Sequence, residues 1–229
     1  MAQSFSDFIV EETVSDYKVI ILSGEKGDKL TTAQQFEKQA KKLGLQVFLS
    51  DFKGATVTFD DGKYSIKNKE SSMEFVSNKT VVFVRGTPSR DSHLDLISEL
   101  ERIGCTCINS RTTISICADK YRSYVRLKDF GLNQPKTVLV PTEDNVETSL
   151  EELDTKFPII LKTLRGAGGV GVLFIESKRA LDSLVQLIYK QDPETDILIQ
   201  EYIKTDYDVR VIVLGDEVLG TMKREVVEG

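Results

Sequence analysis

The chain has 229 residues, of which 40% are hydrophobic and 29% are charged, and its formal net charge is −6. These values are typical of a globular protein of one or two domains, and the negative charge argues against a broad nucleic-acid-binding surface. No apolar run approaches the roughly 18 residues of a membrane-spanning helix, so we expect neither nucleic acid nor a membrane as a partner.

The first half of the chain alternates predicted strands and helices. Residues 1–16 are acidic and lack the basic region that opens a signal peptide, so they are interpreted as an N-terminal arm. The following elements are a strand at 17–22, a loop at 23–29, a helix at 32–43, a strand at 45–49, a hairpin at 55–66, a strand at 80–84, a helix at 91–103 capped by Asp91, a strand at 105–108 and a helix at 115–130. This order predicts a mostly parallel sheet covered by helices.

The second half of the chain predicts a separate α+β unit. Its strands are expected at 136–140, 159–164, 170–175 and 197–200, and its helices at 146–153 and 177–189, the second helix capped by Ser177. Two further strands, at 209–214 and 218–222, form a predicted hairpin around Gly215 and Asp216.

Histidine and cysteine are too sparse for a metal site built from them. Cys105, Cys107 and Cys117 are odd in number and lack the spacing of zinc ligands, and we expect all three to be small core residues. The single histidine, His93, is expected to be a partly exposed helix residue. Any metal would be a hard cation held by oxygens, such as magnesium. Nothing demands an oxidising compartment, which favours a cytoplasmic protein.

A glycine-rich stretch, the glycine loop at residues 166–171, carries the strongest chemical signal. It contains Gly166, Gly168, Gly169 and Gly171, and it follows an apolar run that ends near Lys162. Glycines let backbone N–H groups approach phosphate oxygens, and a nearby lysine adds positive charge. The pattern therefore predicts a site for a phosphorylated ligand, most simply a nucleotide.

The glycine loop has other interpretations. The spacing of Gly166, Gly168 and Gly171 fits G-x-G-x-x-G, but a dinucleotide site needs a helix after the glycines, and a β-branched run follows here. A P-loop needs its lysine after the glycines, whereas Lys162 precedes them. A hairpin whose glycines serve only turn geometry stays open as the structural alternative.

A series of short motifs in order resembles the ATP-grasp ligases, in the branch of glutathione synthetase and the RimK-like enzymes that add glutamate to ribosomal protein. The resemblance extends over residues 81–225, and it rests on the order of the motifs, since none is specific alone. The matching motifs are FVRG at 83–86, INS at 108–110, ADK at 118–120, QPKT at 134–137, FPIILK at 157–162, the glycine loop, QEYI at 200–203, DVR at 208–210 and MKR at 222–224.

The resemblance implies an α/β fold in which an N-terminal parallel-sheet domain precedes an ATP-grasp α+β subdomain and the start of a second one. The implied boundaries are an arm at 1–16, a pre-ATP-grasp domain at 17–112, a small ATP-grasp subdomain with the glycine loop at 113–203, and the beginning of the C-terminal subdomain at 204–229. The family's magnesium ligands, a carboxylate and a Glu-x-Asn pair, are expected beyond Gly229. We therefore expect a shortened or truncated chain with no metal ligand of its own.

The resemblance also implies which residues bind the nucleotide. Lys120 and Lys162 would neutralise the α- and β-phosphates of ATP, and the glycine loop would cover the β- and γ-phosphates. Asp208 would accept hydrogen bonds from the ribose hydroxyls. The linker edge at the adenine would consist of Gln200, Glu201, Tyr202 and Ile203. Without the resemblance, Lys120 is interpreted as a solvent-exposed helix residue and Asp208 as a surface acid.

The implied catalytic residues are Arg210 and Arg224, directed at the γ-phosphate and an acyl phosphate, because a guanidinium binds phosphate through two parallel hydrogen bonds. Their structural alternative is a surface ion pair with Glu201 or Glu225. The implied reaction is an ADP-forming ligation, in which ATP phosphorylates a carboxylate and an amine then displaces phosphate to give an amide.

The resemblance implies a glutamate-like amino acid as one substrate and a peptide, a protein or a small molecule as the other, and it allows a homo-oligomer. The second hypothesis, of a different class, is a non-catalytic ATP-binding module with a role in regulation or assembly. The missing magnesium ligands keep this second hypothesis open.

Overall fold

A computed structural model describes residues 16–24, 31–86, 88, 90–166 and 170–225. Most of the predicted arm, most of the loop predicted at 23–29, two members of the glycine loop (Gly168 and Gly169) and the last four residues lie outside these ranges. The chain divides into two compact units, Met1–Ala118 and Asp119–Gly229. Within the described ranges, no helix has the length and apolar character needed to span a membrane.

The first unit is built on a parallel sheet. Its elements are β1 (Lys18–Ser23), α1 (Thr31–Lys42), β2 (Gln46–Asp51), β3 (Thr56–Asp60), β4 (Lys63–Lys67), β5 (Ser72–Phe75), β6 (Thr80–Arg85), α2 (Asp91–Arg102), β7 (Thr106–Ile108) and α3 (Arg111–Cys117). The parallel sheet has the strand order β2-β1-β6-β7, and β3-β4-β5 form a separate antiparallel sheet. Ile20, Ile21 and Leu22 of the central strand β1 are fully buried, as a continuous apolar run in a parallel sheet predicts.

Two predictions for α2 are wrong. His93 is buried, with 7% of its surface exposed, and its ring stacks on Phe52 at a centroid distance of 5.0 Å. Asp91 does not cap the helix, because it is already the first helical residue and the cap position belongs to Arg90, which makes no side-chain cap bond. Burial also lowers the pKa of His93, with Arg90 adding a like charge.

The second unit contains α4 (Lys120–Asp129), β8 (Thr137–Val140), α5 (Val146–Leu153), β9 (Ile159–Thr163), β10 (Val172–Ile175), α6 (Lys178–Gln191), β11 (Ile197–Glu201), β12 (Tyr207–Leu214) and β13 (Glu217–Glu225). Four strands form an antiparallel sheet in the order β10-β9-β11-β8, while β12 and β13, among the strands described, pair only with each other. The predicted hairpin and the Ser177 cap, which accepts from the Ala180 N–H, are confirmed.

One face of the antiparallel sheet packs against α5 and α6. Ile159 and Leu161 of β9 point into this core, where they meet Leu153 of α5 and Leu181 of α6. Successive side chains on a strand point to opposite faces, so Ile160 and Lys162 lie on the other face. We call this second face the lysine face; it carries Thr137, Ile160, Lys162, Phe174 and Gln200.

The helix predicted at 115–130 is in fact two helices, α3 and α4, separated at Ala118 and Asp119. The buried Asp119 carboxylate accepts the backbone N–H groups of Tyr121 and Arg122, both at 2.9 Å. A carboxylate that satisfies these N–H groups starts a new helix. The break also leaves Cys117 exposed at the end of α3, so the expectation that all three cysteines lie in the core is wrong for it.

Replacing Asp119 with alanine is expected to lower the free energy of unfolding by about 1 kcal/mol, because the two N–H groups at the start of α4 lose their acceptor. Chemical denaturation measures the difference. Asp119→Asn keeps an acceptor oxygen and serves as the matched control, so equal losses in the two variants would contradict the capping role.

Candidate functional site

The lysine face presents a row of residues brought together by strand pairing. Phe174 of β10 pairs with Ile160 of β9, Ile160 pairs with Gln200 of β11, and Gln200 pairs with Thr137 of β8. Phe174 is 50% exposed, and its ring meets that of Tyr202 edge-on at a centroid distance of 4.9 Å. One end of the row is therefore an exposed aromatic surface, and the other end is polar.

Lys162 rises from the middle of this face. Its side chain is half-buried, and its Nζ donates a hydrogen bond to Gln200 Oε1 at 2.5 Å. Burial lowers the pKa of Lys162 from its ordinary value, and the like charge of Lys120 lowers it further. The two ammonium groups are thus close enough to repel each other.

Lys120 is the first residue of α4 and is also half-buried. Its Nζ donates to the Thr163 carbonyl at 2.8 Å, and its backbone N–H donates to the Leu164 carbonyl at 3.0 Å. Within the part of the chain that the structure describes, neither Lys120 nor Lys162 forms an ion pair with a carboxylate. Two positive charges held by neutral acceptors leave a net positive site that suits an anion.

The described ends of the glycine loop lie beside these lysines. Gly166 and Gly171 have positive φ angles of 148° and 76°. The Thr163 N–H donates to the Gly171 carbonyl at 2.9 Å, and a Cβ added at Gly166 would lie 3.8 Å from Lys120 Nζ. The structure therefore brings together Lys120, Lys162 and both ends of the loop that the sequence singled out.

The predicted linker edge continues from β11. The Glu201 carboxylate accepts the Lys136 N–H at 2.7 Å, and the Glu201 N–H donates to the Lys136 carbonyl at 2.9 Å, so this residue ties β11 to the chain entering β8. Tyr202 and Ile203 are exposed. The side chain of Glu201 is thus committed to the protein backbone, while Tyr202 extends the aromatic end of the lysine face.

The remaining predicted residues share one face of the β12–β13 hairpin. Asp208 pairs with Arg224 across the strands, and the guanidinium donates two hydrogen bonds to the carboxylate, at 2.6 and 2.8 Å. This hydrogen bonding raises the pKa of Arg224. Arg210 is exposed opposite Met222. The ion pair considered from the sequence thus forms for Arg224, although its partner is Asp208 and is neither Glu201 nor Glu225.

The predicted site residues therefore fall into two separate groups, one around the two lysines and one on the β12–β13 hairpin. Among the described residues, no hydrogen bond or ion pair joins Asp208, Arg210 or Arg224 to either lysine. Sequence reasoning assigned no role to Thr137, although it lies in the QPKT motif, or to Thr163; their side chains contact Gln200 and the Arg165 carbonyl. Strand alternation could have indicated which face of β8 carries Thr137, but its partner Gln200 depends on the register between β8 and β11.

The comparisons with known proteins agree with the predicted resemblance. Residues 117–229 match the family model of the RimK-like ATP-grasp domain. A probable alpha-L-glutamate ligase of Shewanella loihica is 31% identical over 136 residues, which are 58% of this chain and 44% of that protein. A beta-citrylglutamate synthase B of Danio rerio is 29% identical over 180 residues, which are 76% of this chain and 43% of that protein.

The chain thus spans less than half the length of these curated relatives. Among solved structures, a RimK-domain ATP-grasp protein of Sphaerobacter thermophilus superposes with a TM-score of 0.67 at 19% identity, over 90% of this chain and 72% of that one. This likeness establishes the fold and confirms the predicted fold class. Residues 117–229 of this chain are therefore a RimK-like ATP-grasp domain.

Proposed function

We propose that this protein binds ATP on the lysine face and serves the ATP-dependent ligation of a carboxylate to an amine. The observation that carries the proposal is the pair Lys120 and Lys162. The Lys120 ammonium group lies near Gly166 of the glycine loop and repels that of Lys162, and both groups are held by neutral oxygen acceptors. An anion with several charges, such as a triphosphate, would relieve their mutual repulsion.

The rest of the lysine face supports a nucleotide as that anion. Ile160, Phe174 and Tyr202 form an apolar and partly aromatic surface, which suits a purine ring. We propose that the backbone groups of residues 200–203 pair with the base, that Lys120 and Lys162 bind the α- and β-phosphates, and that the glycine loop covers the phosphates beyond. Apolar and cationic parts of the face then match the two halves of ATP.

We propose Asp208 as the ribose ligand and Arg210 and Arg224 as the catalytic residues. Arg224 is suited to this role by its planar fork, which already forms two parallel hydrogen bonds with a carboxylate. For both partners to reach a ligand, the pair Asp208–Arg224 has to open. The pair is exposed, so solvent screens its attraction and opening is inexpensive.

The proposed chemistry transfers the γ-phosphoryl group of ATP to a substrate carboxylate, releasing ADP. The amine of the second substrate attacks the acyl carbon, the amide C–N bond forms, the nitrogen releases a proton to solvent, and phosphate leaves with the C–O bond electrons. Positioning and charge neutralisation suffice for such steps. We propose a glutamate-like amino acid as one substrate, since glutamate stands in the names of relatives, and a peptide, protein or small molecule as the other.

Magnesium is part of the proposal only because the ATP-grasp ligases that the chain resembles are expected to use it. The described ranges contain no group of three or more histidine, cysteine, aspartate or glutamate side chains placed to hold a metal ion. Magnesium is therefore proposed without a ligand among the described residues. A cytoplasmic setting is likewise proposed, supported by three cysteines that are all free thiols, and a homo-oligomer stays a proposal.

The decisive experiment incubates the purified chain with ATP, magnesium and a panel of amino acids, and measures ADP release together with thermal shifts. We expect ATP to raise the melting temperature, NAD to leave it unchanged, and a glutamate-like amino acid to stimulate ADP release. A shift with ATP but no ADP release with any amino acid would overturn the ligase and favour the non-catalytic ATP-binding module. Absence of a shift with ATP would overturn nucleotide binding itself.

A further inference from the structure

A chain of three hydrogen bonds crosses the lysine face and ends on Lys162. The Thr137 hydroxyl donates to the Pro135 carbonyl at 2.9 Å, and Gln200 Nε2 donates to Thr137 Oγ1 at 2.6 Å. Lys162 Nζ then donates to Gln200 Oε1 at 2.5 Å. We call Thr137 and Gln200 the relay; it links three neighbouring strands, β8, β11 and β9.

The Pro135 carbonyl, which can only accept, and the Lys162 ammonium group, which can only donate, together set the direction of every bond in the relay. A carbonyl can only accept, so the Thr137 hydroxyl has to donate to Pro135 and is left to accept from Gln200. This acceptance requires the NH₂ end of the Gln200 amide, which turns the Oε1 end toward Lys162. The orientation of the amide is therefore held from both ends, by Lys162 and by Thr137, which lies two strands away from the lysine.

The relay has the right charge as well as the right geometry. A glutamate at position 200 would offer Lys162 a carboxylate and neutralise it, whereas the amide of Gln200 orients the ammonium group without cancelling its charge. Thr137 is buried, and a buried hydroxyl without partners is costly, so the hydroxyl keeps both of its hydrogen bonds. The ammonium group is thus restrained in direction and remains free to attract an anion.

We propose that Thr137 and Gln200 are positioning residues, which act through Lys162 by holding its ammonium group oriented and uncompensated toward the nucleotide phosphates. This inference rests on the proposed function, because it assigns a role to the partners of a residue in that site. It also extends the site to Thr137, which approaches Lys162 only through Gln200.

The first test replaces Gln200 with glutamate, which keeps the size of the side chain and adds a negative charge. We expect the Kd for ATP, measured by titration calorimetry, to rise about tenfold, because Lys162 exchanges a phosphate partner for a permanent carboxylate. Adenosine, which has no phosphate, should bind with unchanged affinity. Equal weakening of ATP and adenosine would instead make the Gln200 side chain, and not only the backbone at residues 200–203, a contact of the base and overturn the positioning role.

The second test changes only the far end of the relay. Thr137→Val keeps the shape of the side chain and removes the hydroxyl, so the amide loses the hydrogen bond that restrains its Nε2 end, and ATP affinity should fall about fivefold. Thr137→Ser keeps the hydroxyl and should restore it. Thr58→Val, which removes a hydroxyl bonded to Ser65 in the first unit, is the matched control and should bind ATP normally.

A readout without ATP separates failure of the inference from failure of the proposed function. NMR titration of the Lys162 ammonium group should show a higher pKa in Gln200→Glu and a lower pKa in Thr137→Val, since one variant adds a carboxylate and the other removes an oriented acceptor. If the wild-type chain does not bind ATP, the proposed function fails while these shifts still support the relay. If the pKa of Lys162 is the same in all variants, or if both variants bind ATP as the wild type does, the relay is overturned.

Discussion

Replacing Lys162 with methionine is expected to weaken ATP binding by about 100-fold, because a hydrogen bond from a charged donor contributes about 1.5–3 kcal/mol. Methionine has a similar length and no charge. The Kd is measured by titration calorimetry. Lys190→Met, which removes a charge from the exposed last turn of α6, is the matched control and should bind ATP as the wild type does.

Lys162→Met should also change how the free energy of unfolding depends on pH. The pKa of Lys162 is lowered in the folded state, chiefly by burial. Between this lowered pKa and the ordinary one, the unfolded chain therefore holds more protons than the folded chain, and the free energy of unfolding rises with pH. Wild-type stability should therefore gain relative to Lys162→Met with rising alkaline pH, and the relative gain should be lost again as the pH falls through the lowered pKa. A pH-independent difference would show that the charge is not desolvated.

Replacing Gly171 with alanine is expected to lower the free energy of unfolding by about 2–4 kcal/mol, the sum of left-handed backbone strain and overpacking. Gly171 has a φ angle of 76°, and a Cβ there would lie 2.2 Å from Thr163 Oγ1. Thr163 or the loop therefore has to move, and the loop would shift away from Lys120 and Lys162. Chemical denaturation should show the lower free energy of unfolding, and titration with ATP should show a higher Kd.

Gly215 provides the matched control for this substitution. Its φ angle is also positive, at 58°, but no atom lies within 4 Å of an added Cβ, so Gly215→Ala should cost only about 1 kcal/mol. Adding Thr163→Ala to Gly171→Ala removes the closest atom and should recover part of the loss. Equal losses at Gly171 and Gly215 would mean that the contact with Thr163 is irrelevant.

The local elements of the second unit were predictable because their signals lie within a few neighbouring residues. A continuous apolar run that ends at Lys162 predicts β9, and the Gly215–Asp216 turn predicts the hairpin that β12 and β13 form. Ser177, as the N-cap residue, likewise predicts the start of α6. Each of these signals acts through the backbone within one turn or one strand.

The wrong predictions occurred where the same local sequence pattern is compatible with two different structures. Helical periodicity runs through residues 115–130, yet Asp119 satisfies the N–H groups of a new helix and divides the segment. His93 has the sequence context of a surface residue, but in the fold it is buried and its ring stacks on Phe52. The finer division into domains at residues 112 and 203 stays a prediction, as do the roles of the site residues.

By itself, the sequence determined the types of residue that can bind a phosphorylated ligand, the glycines of the loop, and the order of motifs that links residues 117–229 to RimK-like ATP-grasp domains. The tertiary structure alone decided which partner each residue has. Gln200 faces Lys162, and Arg224 faces Asp208, because strand pairing sets which side chains become neighbours. Gln200 and Thr137 are 63 positions apart, and only the register of β11 between β8 and β9 brings them together with Lys162, since register depends on the packing of the whole sheet.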